Sequence, residues 1–379
     1  MTRLPAPRFT SSLRGPEVAA RVGTALGVCL TVAFLTGLWS HLYQDQPGWL
    51  TIPTRPVWLY RVTQGLHVVT GTAAVPLLLV KLYAVYHRLF TPVPLRRARE
   101  LVLHLLERLS ITLLVGSAVF ELVTGIANTT QWSPWAFSFR STHHAVAWVL
   151  IGSLVLHVAV KLEVVRSAWS RPVDDGETPG RGLTRRGLVR TALGASGVAA
   201  LGVAGAAVPW LRQVSFFETH DGRGPQDLPI TRSARRAGVV GTALAPTYQL
   251  ELVAVPGGPA TVLSLADLQG LPQHTVRLPI ACVEGWSASA EWTGVRLREL
   301  LDLVDAPRGT AVRVVSLQQR GAFRRSEVRG NLADDPMTLV ALRLNGSTLS
   351  IDHGYPARLI APDRPGVLQT KWLARIEVL

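Results

Sequence analysis

The sequence predicts two folds in one chain: an N-terminal all-α transmembrane helical bundle and a C-terminal α+β globular domain. Three observations carry this. Only 17% of residues are charged while 48% are apolar, which disfavours a disordered chain and, despite a net charge of +14, a soluble nucleic-acid binder. The basic excess is uneven, with 21 Lys/Arg against 9 Asp/Glu in residues 1–212 and 18 against 16 in 213–379. Five apolar stretches, at about 22–40, 62–86, 110–128, 144–163 and 188–211, all fall in the basic part. Each is close to the roughly 20 residues that a bilayer requires. The expected division is a four-helix transmembrane domain over 1–170, a linker with a fifth crossing over 171–212, and a globular domain over 213–379.

The loops between the crossings set an orientation, because Lys and Arg concentrate on the cytoplasmic side. With the N-terminus inside, segments 1–21, 87–109 and 161–190 hold 4, 5 and 7 Lys/Arg, whereas 41–61 and 129–143 hold 2 and 1. Five crossings then place the C-terminal domain outside the cytoplasm, on a multi-pass cell-membrane protein in contact with lipid. The fifth crossing opens with Thr184-Arg185-Arg186-Gly187-Leu188-Val189-Arg190. This run resembles a twin-arginine export signal, which delivers folded domains; an arginine pair that merely obeys the positive-inside rule is the plainer reading. Ala204-Gly205-Ala206 offers a cleavage site, but retention is expected, since cleavage would detach the outer domain from its membrane partner.

In the outer part, 248–255 alternates like a half-buried strand, and Ser264 caps a short helix through Leu268. Residues 295–304 have helical apolar spacing, and 311–317 reads as a buried strand. Segments 339–344 and 347–351 flank Asn345-Gly346, a pair suited to a tight hairpin turn with positive φ. Further strands are expected at 357–361 and 372–379. No GxGxxG and no P-loop appears, which argues against a nucleotide enzyme. Two cysteines make no disulfide framework, since Cys29 lies in an apolar run and Cys282 in the polar half.

Histidines within apolar helices demand partners. His67 begins the second crossing and His143 and His144 the fourth, all near the outer surface. His157 lies fourteen residues beyond His143, roughly 21 Å of helical rise and within about 40° of the same face. Two haems at different depths would need such stacking. His67 and His143 are the expected ligands of one haem b, with His144 as the alternative to His143. A second haem at His157 stays open, because the position fourteen residues after His67 is Lys81, and His87 and His104 lie too near the inner surface. Hydrogen bonding between helices without metal is the competing reading. The region resembles bacterial di-haem transmembrane b-type cytochromes, in architecture and spacing rather than in a motif.

From chemistry alone, Cys282 is a buried inert thiol, a nucleophile or a soft metal ligand. It sits in Cys282-Val283-Glu284-Gly285-Trp286-Ser287, followed by Trp292-Thr293-Gly294-Val295. Two further blocks run from Leu344-Asn345-Gly346 through His353-Gly354-Tyr355-Pro356-Ala357-Arg358 to Pro362, and from Gly366 through Lys371-Trp372 to Ile376. Together the three resemble the sulfite oxidase fold family, and most of all its periplasmic methionine-sulfoxide reductase branch. The resemblance implies a molybdenum–molybdopterin cofactor with Cys282 as the thiolate ligand of molybdenum. It implies pterin contacts from His353, Arg358 and Lys371, with Gln369 and Thr370 helping, and an early contact near Thr231-Arg232-Ser233, where Arg232 and Ser233 are the candidates. Glu284, Trp286 and Trp292 shape the pocket in this reading. Sulfite-oxidising members carry paired arginines just after the ligand cysteine, whereas here an acidic residue follows two positions on and disfavours an anion. Arg320, Arg324 and Arg325 could supply that charge from elsewhere, so sulfite is weakened and not excluded, but a solvated loop face is the preferred reading.

The resulting expectation is a membrane-anchored molybdenum oxidoreductase that takes electrons from the quinol pool through haem and reduces a sulfoxide or similar oxide outside the cytoplasm. Sulfite oxidation with electrons flowing the other way is the first alternative, and a non-catalytic membrane scaffold the second.

Overall fold

The computed structural model describes residues 11, 13–86, 97–173, 183–216 and 224–379. His87 and His220 lie outside them, as does part of the expected linker. The chain divides into two compact units, the first from the described residues of Met1–Leu38, Leu66–Gly205 and Gln213–Phe217, the second from those of Trp39–Gly65, Ala206–Arg212 and Glu218–Leu379.

In the first unit the helices are α1 (Pro16–Gln44), α2 (Leu59–Val85), α3 (Ala98–Thr129), α4 (Phe139–Trp169) and α5 (Arg185–Ala204). All five are long and apolar enough to cross a membrane. Val18, Val22, Leu26 and Leu30 recur every four residues on α1 and bury one stripe against Leu77 of α2, Ala118 of α3, Leu150 of α4 and Leu188 of α5. The other faces stay apolar and exposed, as at Leu106, Leu109 and Leu113 on α3 and Val155, Leu156 and Val160 on α4. The fifth apolar stretch is helical only to Ala204, and a 3₁₀ turn follows at Pro209–Val214. Its arginine pair forms the first helical turn, capped by Thr184, whose hydroxyl accepts from Gly187 N at 3.0 Å.

The second unit contains two sheets. One has the order β2-β1-β10-β5-β6, with β1 (Gln249–Val253), β2 (Ala260–Ser264), β5 (Val312–Ser316), β6 (Arg325–Val328) and β10 (Leu373–Val378). The other runs β3-β4-β7-β8, with β3 (His274–Ala281), β4 (Ser287–Arg296), β7 (Leu339–Leu344) and β8 (Ser347–Thr348), while β9 (Arg358–Ile360) pairs with β7. Short helices α6 (Ala234–Ala237), α7 (Val240–Ala243), α8 (Leu265–Gly270), α9 (Leu297–Asp302) and α10 (Gly330–Ala333) fill the connections. The β1–β10 pairing is parallel, which joins the start of the globular segment to its end.

Ser264 caps α8 in a reciprocal capping box with Asp267, and Asn345 and Gly346 both take positive φ in the β7–β8 turn. Two expectations need correction. The stretch 295–304 is not one helix: Val295 and Arg296 end β4, because Val295 pairs with Val340, and only Leu297–Asp302 is helical. The strand expected over 347–351 stops at Thr348, where Ser350 caps a 3₁₀ turn over Ile351–His353.

The unit also takes in the ends of α1 and α2 and their connection. Tyr43, Ile52 and Tyr60 pack with Ala281, the residue before Cys282. Asp363 accepts from the Tyr43 hydroxyl and from Tyr60 N at 2.7 Å, and Arg55 pairs with Asp335 at 2.9 Å. Residues 39–65 are thus part of the sheet domain's packing.

Candidate active site

Strands β3 and β4 pair from His274–Gly294 to Ala281–Ser287, so Cys282–Trp286 is the loop of a hairpin. Its turn closes through Cys282 N donating to Trp286 O at 2.8 Å and Gly285 N to Cys282 O at 3.1 Å. Gly285 has φ +97°, a conformation that costs a side-chain-bearing residue strain, which accounts for glycine there. Cys282 is 3% exposed and stands 3.6 Å from the Thr231 hydroxyl. Burial, reinforced by the Glu284 charge, pushes its thiol up to about 12. A thiolate at neutral pH here needs a cation or a metal beside it.

A cavity of about 250 Å³ opens on the thiol. Cys282, Arg232, His353, Arg358, Gln369, Thr370 and Lys371 all line it, so the structure brings together seven of the eight expected residues. Ser233 is elsewhere: its hydroxyl caps α6 by accepting from Arg236 N at 3.2 Å. Sequence reasoning missed Phe323, Val367 and Leu228, which also line the cavity and carry no signal beyond being apolar. Arg320, Arg324 and Arg325 are not among the lining residues.

The cationic side holds Arg358, Lys371 and Arg232. Arg358 lies over the Trp292 ring at 5.3 Å and donates to His353 O at 3.1 Å. Burial lowers its pKa to about 9, leaving it charged at neutral pH. Lys371 donates to Arg232 O at 3.0 Å and Asp352 O at 2.7 Å. Burial, then the Arg358 charge, lowers it to about 7. Burial and the same arginine lower His353 to about 4, so its ring is neutral, with Nε2 donating to Pro225 O.

The Nε atoms of Arg358 and Arg232 and Oε1 of Gln369 are buried without a hydrogen-bond partner. Unsatisfied buried donors on clustered cations fit an anionic, hydrogen-bonding ligand beside a soft thiolate. That is the chemistry of a pterin phosphate next to molybdenum. Arg358→Ala is accordingly expected to lower molybdenum and pterin retention at least about tenfold, as befits a lost charge-assisted bond; cofactor content of purified protein checks this.

Lys371 yields a pH prediction. Unfolded, it titrates near its ordinary 10.5; folded, near 7. Between these values the unfolded chain binds the extra proton, so in cofactor-free protein this site's stability contribution rises with pH from about 7 to 10.5. Lys371→Met is expected to flatten that rise in thermal melts in detergent; parallel curves for variant and wild type would refute it.

In the first unit, the His67 and His143 rings lie 6.3 Å apart between centroids. His67 Nδ1 donates to Ala33 O at 2.8 Å, the orienting bond a metal-ligating histidine makes. Gly37 leaves it room, since a Cβ there would stand 2.8 Å from the His67 ring. His143 Nδ1 faces the Thr124 hydroxyl at 3.1 Å and Nε2 faces Glu121 at 3.0 Å. Two facing imidazoles are what a haem iron would need; His67 meets this with its orienting bond, whereas Nε2 of His143 is engaged with Glu121. His144 instead accepts from Trp148 at 3.2 Å. No hydrogen bond or ring contact joins His157 to another histidine among the described residues.

Residues 238–379 match the family model described as oxidoreductase molybdopterin binding domain. Mouse (Mus musculus) mitochondrial sulfite oxidase is 29% identical over 158 residues, 35% of this chain and 29% of that protein. Nitrate reductase [NADPH] of Phytophthora infestans is 33% identical over 144 residues, 36% of this chain and 15% of that one. The crystal structure of the sulfane dehydrogenase SoxCD from Paracoccus pantotrophus covers 36% of this chain and 40% of its own at 24% identity, with a TM-score of 0.31. The chain thus spans less than a third of the length of the mouse sulfite oxidase it matches. Residues 238–379 thus carry a molybdopterin-binding oxidoreductase domain, similar to part of sulfite oxidases and nitrate reductases.

Proposed function

We propose that the protein is a membrane-anchored molybdenum enzyme that couples quinol oxidation to reduction of a sulfoxide or a similar neutral oxide outside the cytoplasm. Molybdenum–molybdopterin and at least one haem b are its redox groups. The observation that carries the substrate class is the lining around Cys282. Beside the cationic cluster that suits the cofactor, it includes the apolar Ile280, Trp286, Phe323, Val367 and Leu228, together with polar Thr231 and Gln318. Such a wall favours an organic sulfoxide over a small dianion, and the Glu284 charge near the thiol acts the same way.

When bound, molybdenum supplies two-electron oxygen-atom transfer: a sulfoxide plus two protons and two electrons gives a thioether and water. Cys282 would hold the metal, while Arg358, Arg232 and Lys371 would bind the anionic end of the pterin. Trp286 and Phe323 would exclude water and seat the sulfur substituents. In the first unit, His67 and His143 would hold haem. Five apolar helices, their exposed apolar faces and the loop charges support the membrane location. Retention of the segment after the fifth helix is supported by Ser287, which donates to Ala206 O at 2.7 Å and Ala207 O at 3.1 Å.

A second reading is oxidation of sulfite with electrons returned to the membrane, if one cation of Arg232, Arg358 and Lys371 faces the substrate and not the pterin; the names of the sulfite oxidase relatives agree with it. One experiment separates the two. Prereduced protein in detergent is mixed with methionine sulfoxide, and oxidised protein with sulfite. The sulfoxide reading expects the b-type spectrum to reoxidise in the first mixture; reduction in the second alone would replace it with the sulfite reading. A preparation without molybdenum would overturn both.

A further inference from the structure

We infer that Gln64, on α2 and outside the matched domain, is a positioning residue for the molybdenum-ligand loop. This rests on the reading of Cys282 as that ligand. The loop's own two hydrogen bonds close its turn without using the Val283 carbonyl, one residue past the thiol. Gln64 Nε2 donates to Val283 O at 3.1 Å. An acceptor carbonyl has to meet the amide nitrogen, so the orientation of this amide follows from its partner.

Other contacts on the hairpin from before residue 238 sit at its two ends, where Pro365 also bridges to Ala281. Tyr43, Ile52 and Tyr60 pack on Ala281 at its entry, and Ala206 and Ala207 accept from Ser287 at its exit. Gln64 reaches the loop between its two ends, by a side-chain hydrogen bond.

Gln64 comes at a cost. It is 5% exposed, and its Oε1 is buried without a partner among the described residues. A methionine of similar shape would fill the space without an orphaned acceptor, so packing alone does not explain a glutamine. What the amide adds is a fixed path for the main chain at Cys282, and with it a fixed direction for the thiolate. A ligand on a hairpin loop is precise only when its supporting shell holds it.

The test uses the full chain in detergent, first without cofactor. N-ethylmaleimide labelling of Cys282 at pH 8 is followed by mass spectrometry, with Cys29 in the same sample as an internal control. Gln64→Met is expected to label Cys282 at least about threefold faster than wild type, the scale of one lost hydrogen bond, with its melting temperature unchanged or raised. Asn331→Ala is the control. It removes a bond of the same kind, from Asn331 to Ile52 O (2.9 Å), in the connecting segment and not at Val283, and its Cys282 rate should stay near wild type. In molybdenum-loaded protein, Gln64→Met should shift the Mo(V) electron paramagnetic resonance signal at unchanged molybdenum content. Labelling less than threefold faster, or an equal effect of Asn331→Ala, overturns the inference. If Gln64→Met does not accumulate, Gln64→Asn, whose amide is one methylene short, is read by the same criteria. A wild type that binds no molybdenum defeats the functional reading instead, while the labelling comparison still reports whether Gln64 holds the loop.

Discussion

Cys282→Ser is expected to abolish turnover with every sulfoxide and with sulfite, a loss of three orders of magnitude or more, while the b-type haem spectrum stays intact. A serine hydroxyl is harder and far less acidic than a thiol, so it is a poor donor to a soft, redox-active metal. The substitution removes little volume, and the loop's main-chain bonds, Cys282 N to Trp286 O and Gly285 N to Cys282 O, do not involve the sulfur. The fold should therefore persist. Arg358, Lys371 and His353 remain in the cavity, so part of the pterin should still be retained. Cys29, half-buried in α1, provides the contrast, and Cys29→Ser should behave nearly as wild type. Steady-state assays beside optical spectra and molybdenum analysis check this. A folded Cys282→Ser protein with undiminished turnover would refute the ligand assignment.

His67→Ala is expected to remove the b-type spectrum of the outer haem completely, and His143→Ala should do the same. His67 is set by the Ala33 carbonyl and by the space above Gly37, and neither can orient another side chain into its place. His144 cannot stand in for His143, since its ring is engaged with Trp148 on its own helix. His157→Ala tests for a second haem, where a partial spectral loss is expected. Reduced-minus-oxidised spectra of the purified variants decide the matter. If His67→Ala and His143→Ala both keep a full spectrum, the haem assignment fails.

Patterns that are local in the chain were legible before the structure. Helix periodicity, the Ser264 cap and the Asn345-Gly346 turn depend on neighbours a few residues away, so spacing and residue type suffice to find them. Cys282, His353, Arg358 and Lys371, which line one cavity, were singled out through the motif blocks, where a ligand would make its demands on single positions. Strands β2, β3, β4 and β6 were not foreseen. β3 carries Pro279, and β4 begins Ser-Ala-Ser-Ala, so neither has a strong strand composition; pairing with each other, and of β4 with β7, makes them strands.

The sequence by itself determined the two-part plan of the chain, its charge asymmetry and the identity of the candidate ligands. Each of these is a property of composition or of one short segment. Only the tertiary structure decided that residues 39–65 and 206–212 pack as part of the sheet domain, and that Gln64 meets Val283 across 219 positions of sequence. Only it showed that Ser233 caps a helix while Phe323 lines the cavity. The physical reason is common to all of these. A glutamine, a phenylalanine or a serine acquires its role from the groups that folding brings against it, and loop closure over such separations leaves no periodic trace in the chain.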